Sequence, residues 1–65
     1  MSYYDYKVSQ EIARQGYPFY ALIMATLRKA DSVNLAKLRA VFPDVDDELQ
    51  ARYNAPGGYL PGEGP

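Results

Sequence analysis

The 65-residue sequence contains no cysteine, no histidine and no tryptophan. Without Cys and His, the chain cannot form a Cys/His zinc site, an imidazole haem ligand, a disulfide framework or a Ser-His-Asp triad. The hydroxyls of Ser9, Thr26 and Ser32 have no general base of the usual kind beside them. We therefore expect no enzymatic activity, no metal site and no cofactor.

Long apolar runs are also absent. The longest, from Tyr17 to Leu27, is too short to cross a bilayer, which needs about 20 apolar residues. The N-terminus has no basic segment followed by an apolar one, and so no secretory signal is visible. We expect a cytoplasmic location and no membrane partner.

Net charge is low, at −1, which disfavours nucleic acid as a partner. The charge is unevenly distributed, because residues 1–43 carry six bases against three acids and residues 44–65 carry one base against five acids. Such a charge dipole suits self-association, although acids at a helix start explain much of it.

Residues that typically start and end helices predict an all-α fold of three or four short helices, with a helical hairpin core and a Pro/Gly-rich C-terminal tail. Gly16 followed by Pro18 is typical of a helix end and a restart. Asp31 can cap a new helix, Pro43 must end or kink it, and Asn54 can end the last helix in a left-handed conformation. The predicted helices are 6–15, 18–30, 33–42 and 45–53.

The helical domain should span residues 1–53, with residues 18–30 packed against 33–53. Apolar spacing assigns eleven side chains to its core: Ile12, Phe19, Ile23, Met24, Leu27, Leu35, Leu38, Phe42, Val45, Leu49 and Tyr53. Residues 54–65 form the tail, in which seven of twelve residues are Pro or Gly. The tail is either flexible or docked through its apolar pair, Tyr59 and Leu60.

Self-association is the next expectation. A core this small rarely supplies more than about 3–5 kcal/mol, so a partner subunit or bound target should supply the remainder. The second helix is apolar on about half its circumference, more than one hairpin can cover. We expect a homo-oligomer, most simply a two-fold dimer, in which Leu22 is buried between chains.

Two charged clusters have ordinary structural interpretations. Four carboxylates at 44, 46, 47 and 48 suit the positive N-terminus of the fourth helix, and their spacing does not match a calcium-binding loop. Four bases, Arg28, Lys29, Lys37 and Arg39, flank the turn at Asp31. They invite a DNA-binding interpretation, with 33–42 as the recognition helix, which the low pI of 5.1 weakens.

Tyrosine is the compositional oddity, with seven residues among nine aromatics. Tyrosine offers a large rigid contact area with a polar tip and is enriched at interfaces. Tyr20 and Tyr53 lie on apolar stripes and should pack internally. The remaining five, Tyr3, Tyr4, Tyr6, Tyr17 and Tyr59, are candidates for contact with a partner.

Three segments, YPFYALIMATLRKAD at 17–31, LRAVFP at 38–43 and LQARYNAPGGYLPGE at 49–63, carry a resemblance to short uncharacterised proteins of phage and prophage gene clusters. The resemblance covers most of the chain and implies no activity or site residue. What it implies is a host-directed or regulatory binding protein.

These observations favour a small non-enzymatic protein–protein interaction module, an inhibitor or adaptor. One alternative is a transcriptional regulator that binds DNA through 33–42. Another is an oligomer that binds a small molecule or nucleotide at a subunit interface, where Arg14, Arg28 or Arg39 would pair with phosphates. The candidate partner-binding residues are Tyr3, Tyr4, Tyr6, Tyr17, Leu22, Arg28, Lys29, Tyr59 and Leu60. The tail is the surface we favour, with Glu63 as a charge at its edge.

Overall fold

The structure, a computed structural model, describes residues 1–64. The described chain has four α-helices and no strand: α1 (Tyr3–Arg14), α2 (Phe19–Lys29), α3 (Ser32–Val41) and α4 (Pro43–Tyr53), followed by a short 3-10 turn at Pro56–Gly58. The predicted all-α fold is confirmed. Within residues 1–64, none of the helices combines the length and the apolar character needed to span a bilayer.

Helix α1 begins three residues before its predicted start. The Ser2 hydroxyl caps it by accepting a hydrogen bond from the Asp5 amide at 3.2 Å. A serine followed three residues later by an acid is a recognised start signal, and it was available in the sequence. At the other end Gly16 has φ +67°, which confirms the predicted glycine terminator because side-chain-bearing residues seldom adopt that conformation.

Later helix boundaries follow short-range chemistry. The Asp31 carboxylate accepts from the Asn34 amide at 2.8 Å, which confirms the predicted cap of α3. Pro43 is the first residue of α4, so this helix starts two residues early, at a position where the missing amide proton is not needed. The prediction that Asn54 ends α4 in a left-handed conformation is wrong, since the φ of Asn54 is −91°. The side-chain amide of Asn54 instead donates to the Gln50 carbonyl at 2.9 Å.

Helix α4 is the centre of the packing, because α2, α3 and the 3-10 turn all lie against it. Leu27 of α2 and Leu49 of α4 are buried, with 4% and 7% of their surface exposed. Six more members of the predicted core are half-buried: Ile23, Met24, Leu35, Leu38, Phe42 and Val45. The core is therefore smaller than the apolar pattern predicts.

Three members of the predicted core are exposed. Ile12 is uncovered because α1 does not pack against another helix in the way that α2 packs against α4. Phe19, in the first turn of α2, meets Phe42 edge-on at 6.3 Å but keeps 59% of its surface exposed. Tyr53, the last residue of α4, is 74% exposed. The prediction that Tyr20 packs internally is also wrong, since this side chain is 61% exposed.

The chain is extended for its length. Its radius of gyration is 14.0 Å, and its principal dimensions are 43 × 27 × 16 Å. A compact domain of 65 residues would have a radius of gyration of about 11 Å. Helix α1 contributes to the difference, because it does not make the close helix–helix contact that α2 and α3 make with α4.

The tail folds back onto α4 through Arg52. The Arg52 guanidinium donates to both carboxylate oxygens of Glu63, at 2.7 and 2.9 Å, and to the Gly58 carbonyl at 2.9 Å. Glu63 also accepts from the Leu60 amide at 2.9 Å, and Leu60 is half-buried. The turn that makes this return possible uses Gly57, at φ +64°, a conformation that suits glycine.

Acid should release this tail. Hydrogen bonding from Arg52 holds the pKa of Glu63 at about 2, below its usual 4.5, and pairing with Glu63 raises the pKa of Arg52. Because the folded carboxyl has the lower pKa, its contribution is present above the usual value and is lost as the pH falls toward about 2. In an NMR titration, we expect the Leu60 amide to move toward its unfolded position across that window.

The Glu63→Gln variant is the control for the titration, because its side chain carries no charge to lose. Its Leu60 signal should show no step between about pH 4.5 and 2, the interval between the usual and folded pKa values. A parent chain whose Leu60 signal also stays still would show that the pair of Arg52 and Glu63 does not hold the tail.

Candidate functional site

A groove with a volume of about 1190 Å³ lies between α2 and α3. Its α2 side is lined by Ala21, Leu22 and Ala25, and its α3 side includes Leu38. Ala21 and Ala25 are one helical turn apart, and their small side chains leave room for another backbone to approach closely. The groove therefore has the shape and the apolar lining of a binding surface.

Three predicted partner-binding residues meet in this groove. Tyr17, Leu22 and Lys29 all line it, and Leu22 is half-buried there. The sequence interpretation missed the two alanines, whose small side chains add little to an apolar stripe. It also assigned Ile12 and Leu38 to the core, although both line the groove.

Arg28 lies elsewhere, although it is adjacent to Lys29 in sequence. It lines a smaller cleft of about 310 Å³, which it shares with Leu27, Arg39, Asp46 and Leu49. Neighbouring residues on a helix are about 100° apart around its axis, which separates the two side chains. Arg28 and Lys29 therefore do not belong to one surface.

The acidic cluster proves to be partly structural. Asp44 and Asp46 lie in the first turn of α4, as predicted, where the helix dipole favours negative charge. The Asp46 carboxylate also accepts from the Arg39 guanidinium at 3.1 Å, and its side chain is only 13% exposed. This pair joins α4 to α3. It leaves Lys37 as the cation of α3 that makes no ion pair with a described residue.

Aromatic side chains are concentrated on the surface. Of the nine aromatics, Phe42 is half-buried. The other eight are between 45% and 74% exposed: Tyr3, Tyr4, Tyr6, Tyr17, Phe19, Tyr20, Tyr53 and Tyr59. Soluble proteins usually bury much of such area, so an exposed set of this size indicates contact surfaces.

Helix α1 has two distinct faces. Tyr4, Val8 and Ile12 are four residues apart and form an apolar stripe along one side. Tyr3 and Tyr6 lie on the other side, with their ring centroids 6.3 Å apart. An isolated helix of this length is marginal in water, and its stability comes mainly from covering its apolar face. The face with Tyr3 and Tyr6 is exposed, whereas the apolar face is partly covered, since Val8 is half-buried and Ile12 lines the groove.

The groove carries two lysines, whereas α1 carries two acids, Asp5 and Glu11, and two bases, Lys7 and Arg14. Lys29 and Lys37 line the groove and make no ion pair with residues 1–64. The carboxylate of Asp31 also lines it but is engaged as the cap of α3. On α1, Glu11 pairs with Arg14, and Asp5 has no ion pair among the described residues.

The tail offers less free surface than its sequence indicates. Leu60 is half-buried and Glu63 is held by Arg52, so one apolar anchor and the edge charge have roles inside the chain. Tyr59 keeps 45% of its surface exposed. The sequence favoured the tail as the contact surface, but the tyrosines of α1 are more exposed than Tyr59.

Comparison with protein families, curated proteins and solved structures finds no match to this chain. Among residues 1–64, no three His, Cys, Asp or Glu side chains are grouped to hold a metal ion. The groove, the exposed aromatic side chains and α1 are therefore the candidate functional surfaces.

Proposed function

We propose that this protein is a non-enzymatic binding module, a small adaptor or inhibitor that occupies a surface of a larger protein. The observation that supports the proposal is the exposure of eight of its nine aromatic side chains. Tyr, like Trp and Arg, carries much of the binding energy at protein interfaces, because it is large, rigid and polar at its tip.

The contact surface we favour is the face of α1 that carries Tyr3 and Tyr6, which are 74% and 59% exposed. Their rings are already paired in the free chain, so little side-chain entropy is lost when a partner covers them. Because Tyr3 and Tyr6 are exposed and line neither cleft, a target can approach this face without disturbing the core.

The module acts as a homo-oligomer, in this proposal most simply a two-fold dimer. Two buried side chains, Leu27 and Leu49, are a small core for a chain of 65 residues. Burial between copies adds the apolar contact that a domain of this size otherwise lacks. A dimer would also present two copies of the tyrosine pair, which raises avidity for a target with two sites.

The test is recovery of a partner from a lysate of the host cell by the full chain and by two variants. We expect the double variant Tyr3→Ala/Tyr6→Ala to recover the partner at least about tenfold less well, because interface tyrosines often contribute 2 kcal/mol or more. Tyr53→Ala is the matched control, because it removes an equally exposed tyrosine from α4 and should leave recovery unchanged.

Two other results would contradict the proposal. A band shift with random duplex DNA that weakens steeply with salt would favour the regulator instead. A rise of several degrees in melting temperature with a nucleotide would favour a ligand-binding oligomer. If a chain ending at Asn54 loses the partner while the α1 variant keeps it, the contact surface is the tail with Tyr59.

A further inference from the structure

We propose that the groove between α2 and α3 binds helix α1 of a second copy of this chain, so that two copies exchange their first helices. The inference rests on the self-association included in the proposed function and specifies its contacts. Four observations support it: excess surface, a partly exposed stripe, matching length and acids that flank the stripe.

The first observation is surface area. The chain exposes 5427 Å² for a mass of 7.3 kDa. A folded monomer of that mass exposes about 4,200 Å², so the excess is about 1,200 Å². A standard interface covers about 800 Å² on each partner. One interface between copies is therefore enough to account for most of the surplus.

The second observation is the stripe itself. Val8 is its centre, and Tyr4 and Ile12 lie about 40° to either side of it around the helix. Ile12 lines the end of its own groove, whereas Tyr4 and Val8 line neither cleft of their own chain. Tyr4 is 74% exposed and Val8 is half-buried, so a second copy would cover the surface that these two side chains still expose.

The third observation is that the stripe of α1 and the groove agree in length and shape. Tyr4 to Ile12 spans about 12 Å of helix, and Ala21 to Lys29, which bound the α2 side of the groove, span the same about 12 Å. Ala21 and Ala25 let the incoming helix approach closely, and Leu22 can then pack between Tyr4 and Val8 in the usual ridge-and-groove manner.

The fourth observation is charge. Asp5 and Glu11 are three residues before and after Val8, which places one carboxylate about 60° to each side of the centre of the stripe. The bases of α1, Lys7 and Arg14, lie farther round the helix, about 100° and 120° from Val8. Lys29 and Lys37 stand on the two helices that form the walls of the groove. A helix with an acid on each flank fits a groove with a base on each wall, and such complementarity selects the partner and its register.

Charge reversal on each side of this contact is the decisive experiment, read by sedimentation velocity at micromolar concentration. Lys29→Glu/Lys37→Glu reverses the groove, and Asp5→Lys/Glu11→Lys reverses the helix. Each double variant alone should raise the dimer dissociation constant by about 100-fold, because like charges then face each other at both symmetric contacts. An equimolar mixture should restore a dimer, since each variant's helix now matches the other's groove.

Arg28→Glu is the control, because it reverses one positive charge next to Lys29 but in the other cleft. It should leave the dissociation constant within about twofold of the parent. Recovery in the mixture also excludes misfolding as the cause, because chains that fail to fold would not re-form a dimer on mixing.

Three other outcomes of this experiment would overturn the inference. A parent chain that is a stable monomer overturns both this inference and the proposed self-association, and leaves the groove to a different protein. A parent dimer that both double variants retain overturns only the inference, because the copies must then meet elsewhere. Dissociation of both variants without recovery in the mixture also overturns it.

Discussion

Replacing Leu49 by alanine should unfold a large fraction of the chain at 25 °C. Leu49 is one of two buried side chains, and it lies on α4, against which α2 and α3 both pack. Truncation of a buried leucine costs about 2–5 kcal/mol. A core of this size supplies about 3–5 kcal/mol in total. The loss is thus comparable to the entire stability, and urea denaturation followed by far-UV circular dichroism measures it.

Val41→Ala is the control for that experiment, because Val41 is 70% exposed at the end of α3. Surface substitutions of this kind usually change stability by no more than about 0.5 kcal/mol. If Leu49→Ala kept the midpoint of the parent chain, α4 would not be the centre of the core, and the stability would have to come from contacts between copies.

The helix boundaries could be predicted because they are decided locally. Gly16, Asp31 and Pro43 each act within one or two turns, through a positive φ, a capped amide and a missing amide proton. The errors were local too. Ser2 caps α1, a signal that the predicted start at residue 6 leaves out. Pro43 was interpreted only as the end of the third helix, although it also occupies the first turn of α4.

The core could not be predicted to the same extent, because a helical apolar stripe identifies a face but not the element that covers it. Ile12 has the spacing of a core residue but belongs to a helix that packs on nothing comparable within its own chain. Tyr53 has the same spacing and lies at the end of α4, 74% exposed. Tertiary geometry, which periodicity does not encode, decides both cases.

The candidate site could be predicted only in part. Leu22 and Lys29 are seven residues apart, which places them on one face of α2, and both line the groove with Tyr17. The wall of the groove that α3 supplies could not be predicted from that spacing. Arg28 was grouped with Lys29 because they are adjacent, and helical rotation places it in the other cleft. A sequence can therefore nominate residues, whereas their assembly into one surface depends on how the helices cross.

Leu22→Glu should convert the proposed dimer into a folded monomer. Leu22 is half-buried on the groove side of α2, so in a single chain the new carboxylate can still reach water. In the dimer it would be placed under the apolar stripe of the second copy and near Asp5 or Glu11, where burial of an unpaired charge costs several kcal/mol. We expect the dissociation constant to rise by at least about 100-fold, since each 1.4 kcal/mol is a factor of ten.

Sedimentation velocity and far-UV circular dichroism together separate this result from that of Leu49→Ala. Leu22→Glu should lose mass in solution and keep its helical signal, whereas Leu49→Ala should lose the helical signal. Leu22→Met is the conservative control and should remain dimeric, because it keeps the volume and the apolar character of the side chain. A Leu22→Glu variant that stays dimeric would place Leu22 outside the interface. If the Leu22→Glu variant and the parent chain both unfolded on dilution, the monomer would owe its fold to the second copy.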